Sequence, residues 1–155
     1  MERKTKIQAE EGKQEIFIRR EFDLPIALLF KAYTDPKIVA QWMGTNVVKL
    51  ENKKHGAWEF ETSDPKGNVV FRANGVIQEI EENSKITRTF EMENSPFPVQ
   101  LEFLEFSQLA YTRSKLVIQI VFKSVYYRDE MLKLPFAQGL NMAHNRLKEV
   151  VQNLS

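Results

Sequence analysis

Residues 134–154 carry apolar side chains at steps of three and four residues. This spacing lines up side chains along one side of a helix. Pro135 stands at the start of the segment, where the missing N–H of proline costs no helical hydrogen bond. A helix of this length, about 30 Å at roughly 1.5 Å per residue, must lay its apolar stripe against a broad surface. The stripe consists of Phe136, Leu140, Ala143, Leu147, Val150, Val151 and Leu154.

Alternation of apolar and polar residues predicts strands in much of the preceding chain. The first strand is expected between residues 14 and 22, and about six others between residues 47 and 123. Residues 64–68, Asp-Pro-Lys-Gly-Asn, are typical of the turns that separate them. Because short turns join consecutive strands, we expect an antiparallel meander. The most regular alternation places Leu116, Ile118, Ile120 and Phe122 on one side of a strand.

Two short helices are predicted between the first strand and the others. In the second of them, Asp35 is expected to cap the helix, Pro36 to be its first residue and Gly44 to end it. A further short helix is expected from Ser124, as its cap, to Leu132. The apolar face of the first helix consists of Ile26, Leu29, Phe30 and Tyr33.

Length and composition narrow the class of protein. The 155 residues fit one domain, and residues 1–13 are expected to be a loose lead-in. The 22 basic and 21 acidic residues nearly balance, which argues against nucleic acid as the main partner. Cysteine is absent, which excludes disulfides and a cysteine zinc site. The charged N-terminus lacks the apolar core of a signal peptide, and no segment has the roughly 18 apolar residues of a membrane span. We therefore expect a cytoplasmic protein.

Short motifs are spread over nearly the whole chain. They are Phe-Asp-Leu-Pro at 22–25, Phe-Lys-Ala-Tyr-Thr-Asp-Pro at 30–36, Gln-Trp-Met-Gly at 41–44, Gly-Ala-Trp at 56–58, the turn at 64–68, Arg-Asp-Glu-Met-Leu at 128–132, Gln-Gly-Leu at 138–140 and Asn-Arg-Leu at 145–147. Together these motifs resemble the activator-of-heat-shock-ATPase-homologue-like branch of the START-like (SRPBCC) superfamily.

The resemblance implies an α+β helix-grip fold. In this fold a curved antiparallel sheet, here of about six or seven strands, wraps around a long C-terminal helix and leaves an apolar cavity between them. The chain departs from the family pattern in three places near the expected cavity. Met43 follows Trp42 where paired tryptophans are usual, Thr45 replaces a common proline, and Leu140 replaces a tryptophan.

The expected lining of this cavity is mostly apolar, as ligand pockets are. The alternative is a plain packed core, which the sequence does not distinguish from a cavity. The candidate lining residues are Trp42, Met43, Trp58, Phe60, Arg88, Phe90, Phe103, Tyr111, Ile118, Ile120, Phe136, Leu140 and His144.

Two polar residues among these candidates have more than one interpretation. Arg88 shares a face with Phe90 if its strand is regular, so it can anchor a ligand carboxylate or phosphate, or pair with a glutamate, or turn outward at a bulge. His144 lies at the edge of the apolar stripe, where it can be a general base or a partly exposed boundary residue. The other histidine, His55, falls in a predicted turn.

Three functions are consistent with the sequence. The first is non-catalytic binding of a hydrophobic or amphipathic small molecule in the cavity. The second, implied by the resemblance, is interaction with a heat-shock chaperone. The third is a cyclase or hydrolase, which needs an acid–base group within reach of a substrate. No catalytic residue is assigned, no cofactor is expected, and the histidines lack metal-ligand spacing. We rank binding above interaction and interaction above catalysis.

Overall fold

The computed structural model describes residues 3–154, with the backbone alone for Phe136 and Ala137. Within this part of the chain there are eight strands and four helices. Their bounds are β1 (Lys6–Gln8), β2 (Glu15–Phe22), α1 (Ile26–Thr34), α2 (Pro36–Met43), β3 (Asn46–Leu50), β4 (Ala57–Ser63), β5 (Val69–Glu81), β6 (Lys85–Met92), β7 (Gln100–Ala110), β8 (Arg113–Val121), α3 (Val125–Leu132) and α4 (Phe136–Gln152).

The strands form one curved antiparallel sheet in the order β1-β2-β8-β7-β6-β5-β4-β3. Strands β3 to β8 pair consecutively, as the short turns between them predict. Strand β2 then pairs with β8 along its full length, from Glu15 opposite Val121 to Phe22 opposite Ser114. The predicted α+β helix-grip fold is thereby confirmed.

The N-terminal segment is more ordered than the expected loose lead-in. Strand β1 pairs with β2, with Lys6 opposite Arg19 and Gln8 opposite Phe17. The backbone N–H of Thr5 donates a hydrogen bond of 2.8 Å to Oδ1 of Asn141 in α4. Three residues are too few to show a periodic pattern, and backbone pairing does not depend on particular side chains. This edge strand is the eighth strand of the described sheet, beyond the six or seven expected.

The helix ends follow the capping chemistry that their sequences predict. The carboxylate of Asp35 accepts hydrogen bonds from the backbone N–H groups of Lys37 at 2.9 Å and Ile38 at 3.4 Å. Gly44 ends α2 in the left-handed conformation with φ of 63°. The hydroxyl of Ser124 accepts a hydrogen bond from the backbone N–H of Tyr127 at 3.3 Å, which caps α3. The side chains of Asp35 and Ser124 thereby satisfy backbone N–H groups that lack partners inside the helices.

Helix α4 supplies the middle of the predicted apolar stripe to the core, whereas Leu154 lies beyond the end of the helix and is 54% exposed. Leu147 and Val151 are completely buried in the core, and Ala143 and Val150 pack against its edge. Helices α1 and α2 lie beside α4, so three helices and the concave face of the sheet enclose the interior. The half of α4 nearer its N-terminus is less tightly covered, and there Leu140 and Ala143 face a cavity.

Candidate functional site

A cavity of about 370 Å³ lies between the concave face of the sheet and the helices. Its size is within the range of about 300–1,000 Å³ that is typical of small-molecule sites. It is lined by Ile16, Ile18, Tyr33, Trp42, Met43, Thr45, Trp58, Phe60, Thr62, Phe71, Ala73, Arg88, Phe90, Met92, Gln100, Glu102, Ile118, Ile120, Phe122, Met131, Leu140 and Ala143. Most of these side chains are apolar, and the charged ones come from two adjacent strands.

The structure brings together most of the residues that the sequence predicts for the lining. Side chains alternate along a strand, so the inward positions of β4, β6 and β8 lie side by side across the sheet. Helices α2 and α4 add residues from the opposite side. The predicted residues that lie along the cavity are Trp42, Met43, Trp58, Phe60, Arg88, Phe90, Ile118, Ile120 and Leu140.

Phe103 is not a lining residue. It is partly exposed on the convex face of β7, between Gln119 of β8 and Thr87 of β6. The inward positions of β7 are Gln100, Glu102, Leu104 and Phe106, all of them buried. The prediction took the apolar residues at the start of this strand to face inward. The inward positions at the start of β7 are instead held by Gln100 and Glu102. Their burial is possible because Gln100 donates to Glu102 and Glu102 pairs with Arg88.

The other differences concern the end of a hairpin and the start of α4. Tyr111 is 86% exposed in the turn between β7 and β8, far from a lining position. The side chain of Phe136 lies outside the described residues, so its predicted role in the lining stays a prediction.

An aromatic cluster forms one wall of the cavity. The ring of Trp58 lies 4.9 Å from that of Phe60 and 5.6 Å from that of Phe90, measured between centroids. The indole N–H of Trp58 donates a hydrogen bond of 3.1 Å to the backbone carbonyl of Thr89. Gly75, opposite Trp58 on β5, makes this possible, because a Cβ there would overlap the same carbonyl and the indole nitrogen. A glycine in β5 therefore sets the position of the indole.

The polar end of the cavity is an ion pair. Arg88 and Glu102 are directly opposite each other on β6 and β7 and are 8% and 7% exposed. The Nε–H of Arg88 donates to Oε1 of Glu102 at 3.0 Å, and the amide of Gln100 donates to Oε2 at 3.2 Å. The guanidinium of Arg88 also lies 5.0 Å from the ring centroid of Trp58, in a cation–π contact. Of the alternatives for Arg88, the structure shows an inward side chain paired with a glutamate.

Glu102 and Gln100 were not identified from the sequence. Glu102 could have been identified from its position opposite Arg88, but only if the register between β6 and β7 were known. That register depends on the turn after β6, residues 93–99, whose length and irregularity leave it open from sequence alone.

His144 is completely buried, yet it does not line the cavity. Its Nδ1 lies 2.6 Å from Oγ1 of Thr5, and its Nε2 lies 3.3 Å from the hydroxyl of Tyr33. Burial and, to a smaller extent, the nearby charge of Arg20 lower its pKa to about 3. His144 is therefore a neutral imidazole that links the N-terminal segment to α1. It is neither the cavity base nor the partly exposed boundary residue that the sequence suggested.

Polar side chains around His144 extend this connection to the C-terminal helix. Arg20, 3% exposed, donates to Oγ1 of Thr5 at 3.3 Å, to Oδ1 of Asn141 at 3.1 Å and to Oδ1 of Asn145 at 2.9 Å. The network joins the N-terminal segment, β2 and α4, and none of these four side chains of β2 and α4 (Arg20, Asn141, His144 and Asn145) lines the cavity. Sequence periodicity does not reveal it, since its members are far apart in the chain.

Tyr33 is the residue through which this network reaches the cavity. Its side chain lines the cavity, and its hydroxyl faces Nε2 of His144. Burial raises the pKa of Tyr33, while the charge of Arg88 lowers it and that of Glu102 raises it to smaller extents. The tyrosine is therefore a neutral phenol throughout the physiological pH range.

Within residues 3–154, no group of three or more His, Cys, Asp or Glu side chains is arranged to hold a metal ion. In the same part of the chain, no helix is long and apolar enough to cross a membrane.

Comparison with known protein families identifies the family of the chain. A family model described as activator of Hsp90 ATPase homolog 1-like protein matches residues 23–152. The chain belongs to this family. The resemblance inferred from the short sequence motifs is thereby confirmed. No curated protein matches the chain in sequence.

Solved structures show that the fold of this activator-like chain is shared at low sequence identity. Protein Ms6760 from Mycobacterium smegmatis is similar with a TM-score of 0.83 and 16% identity, over 95% of this chain and 96% of that chain. A protein from Rhodobacter sphaeroides gives a TM-score of 0.86 at 17% identity, over 97% and 99% of the two chains. CalU16 from Micromonospora echinospora gives 0.65 at 20% identity, over 97% and 85%. At these identities the likeness concerns the fold alone.

Proposed function

We propose that the protein binds a hydrophobic or amphipathic small molecule in the cavity between the sheet and α4, without covalent chemistry. The observation that carries this proposal is the cavity of about 370 Å³ with its mostly apolar lining. At roughly 30 Å³ per water molecule, this volume is that of about a dozen waters. A concave space of this size with a mostly apolar lining is typical of sites that bind small apolar molecules.

The lining supports reversible binding of molecules of variable shape. Met43, Met92 and Met131 are partly exposed around the cavity, and methionine side chains adapt to irregular surfaces. Leu140 and Ala143 of α4 form part of the same wall. These residues come from α2, β6, α3 and α4, so small adjustments of several elements can widen the access to the cavity.

Titration of the protein with a mixed library of lipids, sterols, flavonoids and fatty acids, followed by backbone amide shifts, tests this proposal. We expect shifts centred on Trp58, Phe90 and Leu140, because these residues line the cavity. The variant Ala143→Phe fills space at the cavity wall and should abolish the shifts. The matched control is Met142→Phe, since Met142 is 52% exposed on the outer side of the same helix.

Two outcomes contradict binding in the cavity. One is the absence of shifts at lining residues across the whole library. The other is an equal response of the Ala143→Phe and Met142→Phe variants to a bound compound, which would place the compound elsewhere on the protein.

A second candidate function rests on the family to which the chain belongs. The description of that family names activation of the Hsp90 ATPase. In this alternative an outer surface of the protein contacts the chaperone and the cavity is incidental. ATP turnover by the chaperone, measured with and without the protein, tests the idea. If the protein neither binds the chaperone nor stimulates its ATP turnover, this alternative is excluded.

The third possibility, a cyclase or hydrolase, stays a prediction and has the least support. His144, the residue considered as its base, lies outside the cavity with both ring nitrogens next to hydroxyl groups. The cytoplasmic location expected from the sequence also stays a prediction.

A further inference from the structure

We propose that the cavity selects amphipathic molecules with an uncharged oxygen acceptor, such as an amide, ketone, ester or alcohol, over carboxylates of the same shape. The proposal rests on the proposed binding function and specifies the chemical class of the ligand. It is carried by the ion pair of Arg88 and Glu102 at the polar end of the cavity.

The first step concerns the hydrogen-bond donors that face the cavity. A guanidinium has five N–H groups, one on Nε and four on Nη1 and Nη2. In Arg88 the Nε–H is donated to Glu102. Among the described residues, Nη1 and Nη2 of Arg88 have no protein acceptor, and the residue lines the cavity while only 8% exposed. These N–H groups can donate to a ligand that brings an oxygen acceptor, and a hydrogen bond from a charged donor is stronger than one between neutral groups.

The second step concerns charge. Glu102 is 7% exposed and accepts hydrogen bonds from Arg88 and from the uncharged amide of Gln100. The positive charge of Arg88 is therefore already balanced within the cavity wall. A ligand carboxylate would lose its hydration and place a second negative charge on the same guanidinium, close to Glu102. An uncharged oxygen can accept the same Nη–H groups without that cost.

The third step concerns the rest of the ligand. Trp58, Phe60 and Phe90 form an aromatic wall next to the guanidinium. Ile118 and Ile120 of β8 add aliphatic side chains to the same face of the sheet. An apolar chain or ring system can lie against these side chains while its oxygen reaches Arg88. The cavity thus fits a molecule with one uncharged polar end and an apolar body.

Two matched pairs of probes test the selectivity. The first is decanamide against decanoate, and the second is 4-phenylbutanamide against 4-phenylbutanoate, each at a pH at which the acid is ionised. Dissociation constants are measured by amide shifts or calorimetry. We expect the amide of each pair to bind about tenfold or more tightly than the acid, which corresponds to a hydrogen bond to a charged group gained without burying a second charge.

Two variants connect the selectivity to the ion pair. Glu102→Gln keeps the shape of the side chain and removes the balancing charge, so the preference should shift towards the acid by about tenfold. The double variant Arg88→Leu/Glu102→Leu removes both charges without leaving either one unpaired. It should weaken amide binding about tenfold. This variant tests the proposal even if Glu102→Gln fails to fold, as judged by its amide spectrum.

The outcomes separate this inference from the proposed function. An acid that binds the wild-type protein as tightly as its amide, or an unchanged preference in both variants, overturns the selectivity and leaves cavity binding intact. Failure of both probe pairs to bind overturns the ligand class. If the mixed library also leaves the lining residues unshifted, the proposed function itself is wrong.

Discussion

Replacement of His144 should change how the stability of the protein depends on pH. The imidazole is completely buried, contacts Thr5 and Tyr33 through its two nitrogens, and has Arg20 nearby. Burial holds its pKa in the folded protein at about 3, against an ordinary value of 6.5. Well above pH 6.5 the residue is neutral in both the folded and the unfolded chain, and its protonation makes no difference to stability.

The magnitude follows from the two pKa values. Between pH 6.5 and about 3, the unfolded chain binds a proton at this site and the folded chain does not. The free energy of unfolding therefore falls by about 1.4 kcal/mol for each pH unit of acidification in this window. From pH 7 to pH 5 the loss from this one group amounts to about 2 kcal/mol. Most carboxyl groups titrate below this range, so they contribute little to the difference.

Urea unfolding at pH 7 and pH 5 measures the effect. The wild-type protein should lose about 2 kcal/mol more than the variant His144→Gln over this interval. The control is His55→Asn, since His55 is exposed and its positive φ of 67° is one that asparagine tolerates. This control should keep the dependence of the wild-type protein.

Direct titration of the imidazole in the wild-type protein tests the same reasoning even if the variant His144→Gln does not fold. In the wild-type protein, the proton resonances of His144 should not shift between pH 7 and pH 5, because the folded-state pKa lies near 3. A titration of His144 with a midpoint near 6.5, or an identical stability difference in the wild-type and His144→Gln proteins, would refute the reasoning.

Three further pairs of variants should differ in stability for reasons that follow from local contacts, and urea unfolding measures each difference. Gly75→Ala should destabilise the protein, because its Cβ would overlap a backbone carbonyl of β6. Gly139→Ala in α4 should stabilise it by about 0.5–1 kcal/mol, because nothing lies within 4 Å of the added Cβ. Equal effects of the two variants would contradict this prediction. Asp35→Ala should cost about 1 kcal/mol through loss of the α2 cap, and Asp35→Asn much less. Arg88→Leu should cost about 3–5 kcal/mol because it leaves Glu102 unpaired, and Arg88→Leu/Glu102→Leu clearly less; a larger loss in the double variant would contradict the pairing argument.

The local elements were predictable because their signals lie within a few residues. Asp35, Pro36 and Gly44 mark both ends of α2, and Ser124 marks the start of α3, since capping depends on neighbouring backbone groups. The apolar repeat of residues 134–154 likewise predicted the helix that the structure shows at Phe136–Gln152. The short sequence motifs predicted the same family that the family model confirms.

The cavity was predictable only in part. Alternation along regular strands correctly places Trp58, Phe60, Arg88 and Phe90 on the inner face, which requires no knowledge of the partner strand. It fails for Phe103, because the irregular segment before β7 hides which residues of that strand face inward. A one-residue shift in register exchanges the two faces of a strand. The wrong placement of Phe103 therefore results from the irregular turn before β7, which leaves the register of that strand undetermined by the sequence.

The sequence by itself determined the helix ends and the inner faces of β4, β6 and β8, since these depend on periodicity and on contacts between near neighbours. Its short motifs carried the resemblance that implied the helix-grip fold. Only the tertiary structure decided that Glu102 balances Arg88 and that His144 joins Thr5 to Tyr33. The residues in each of these groups are separated by between 14 and 139 positions along the chain. Their burial and pairing arise only when the register of the strands and the packing of α4 bring them together.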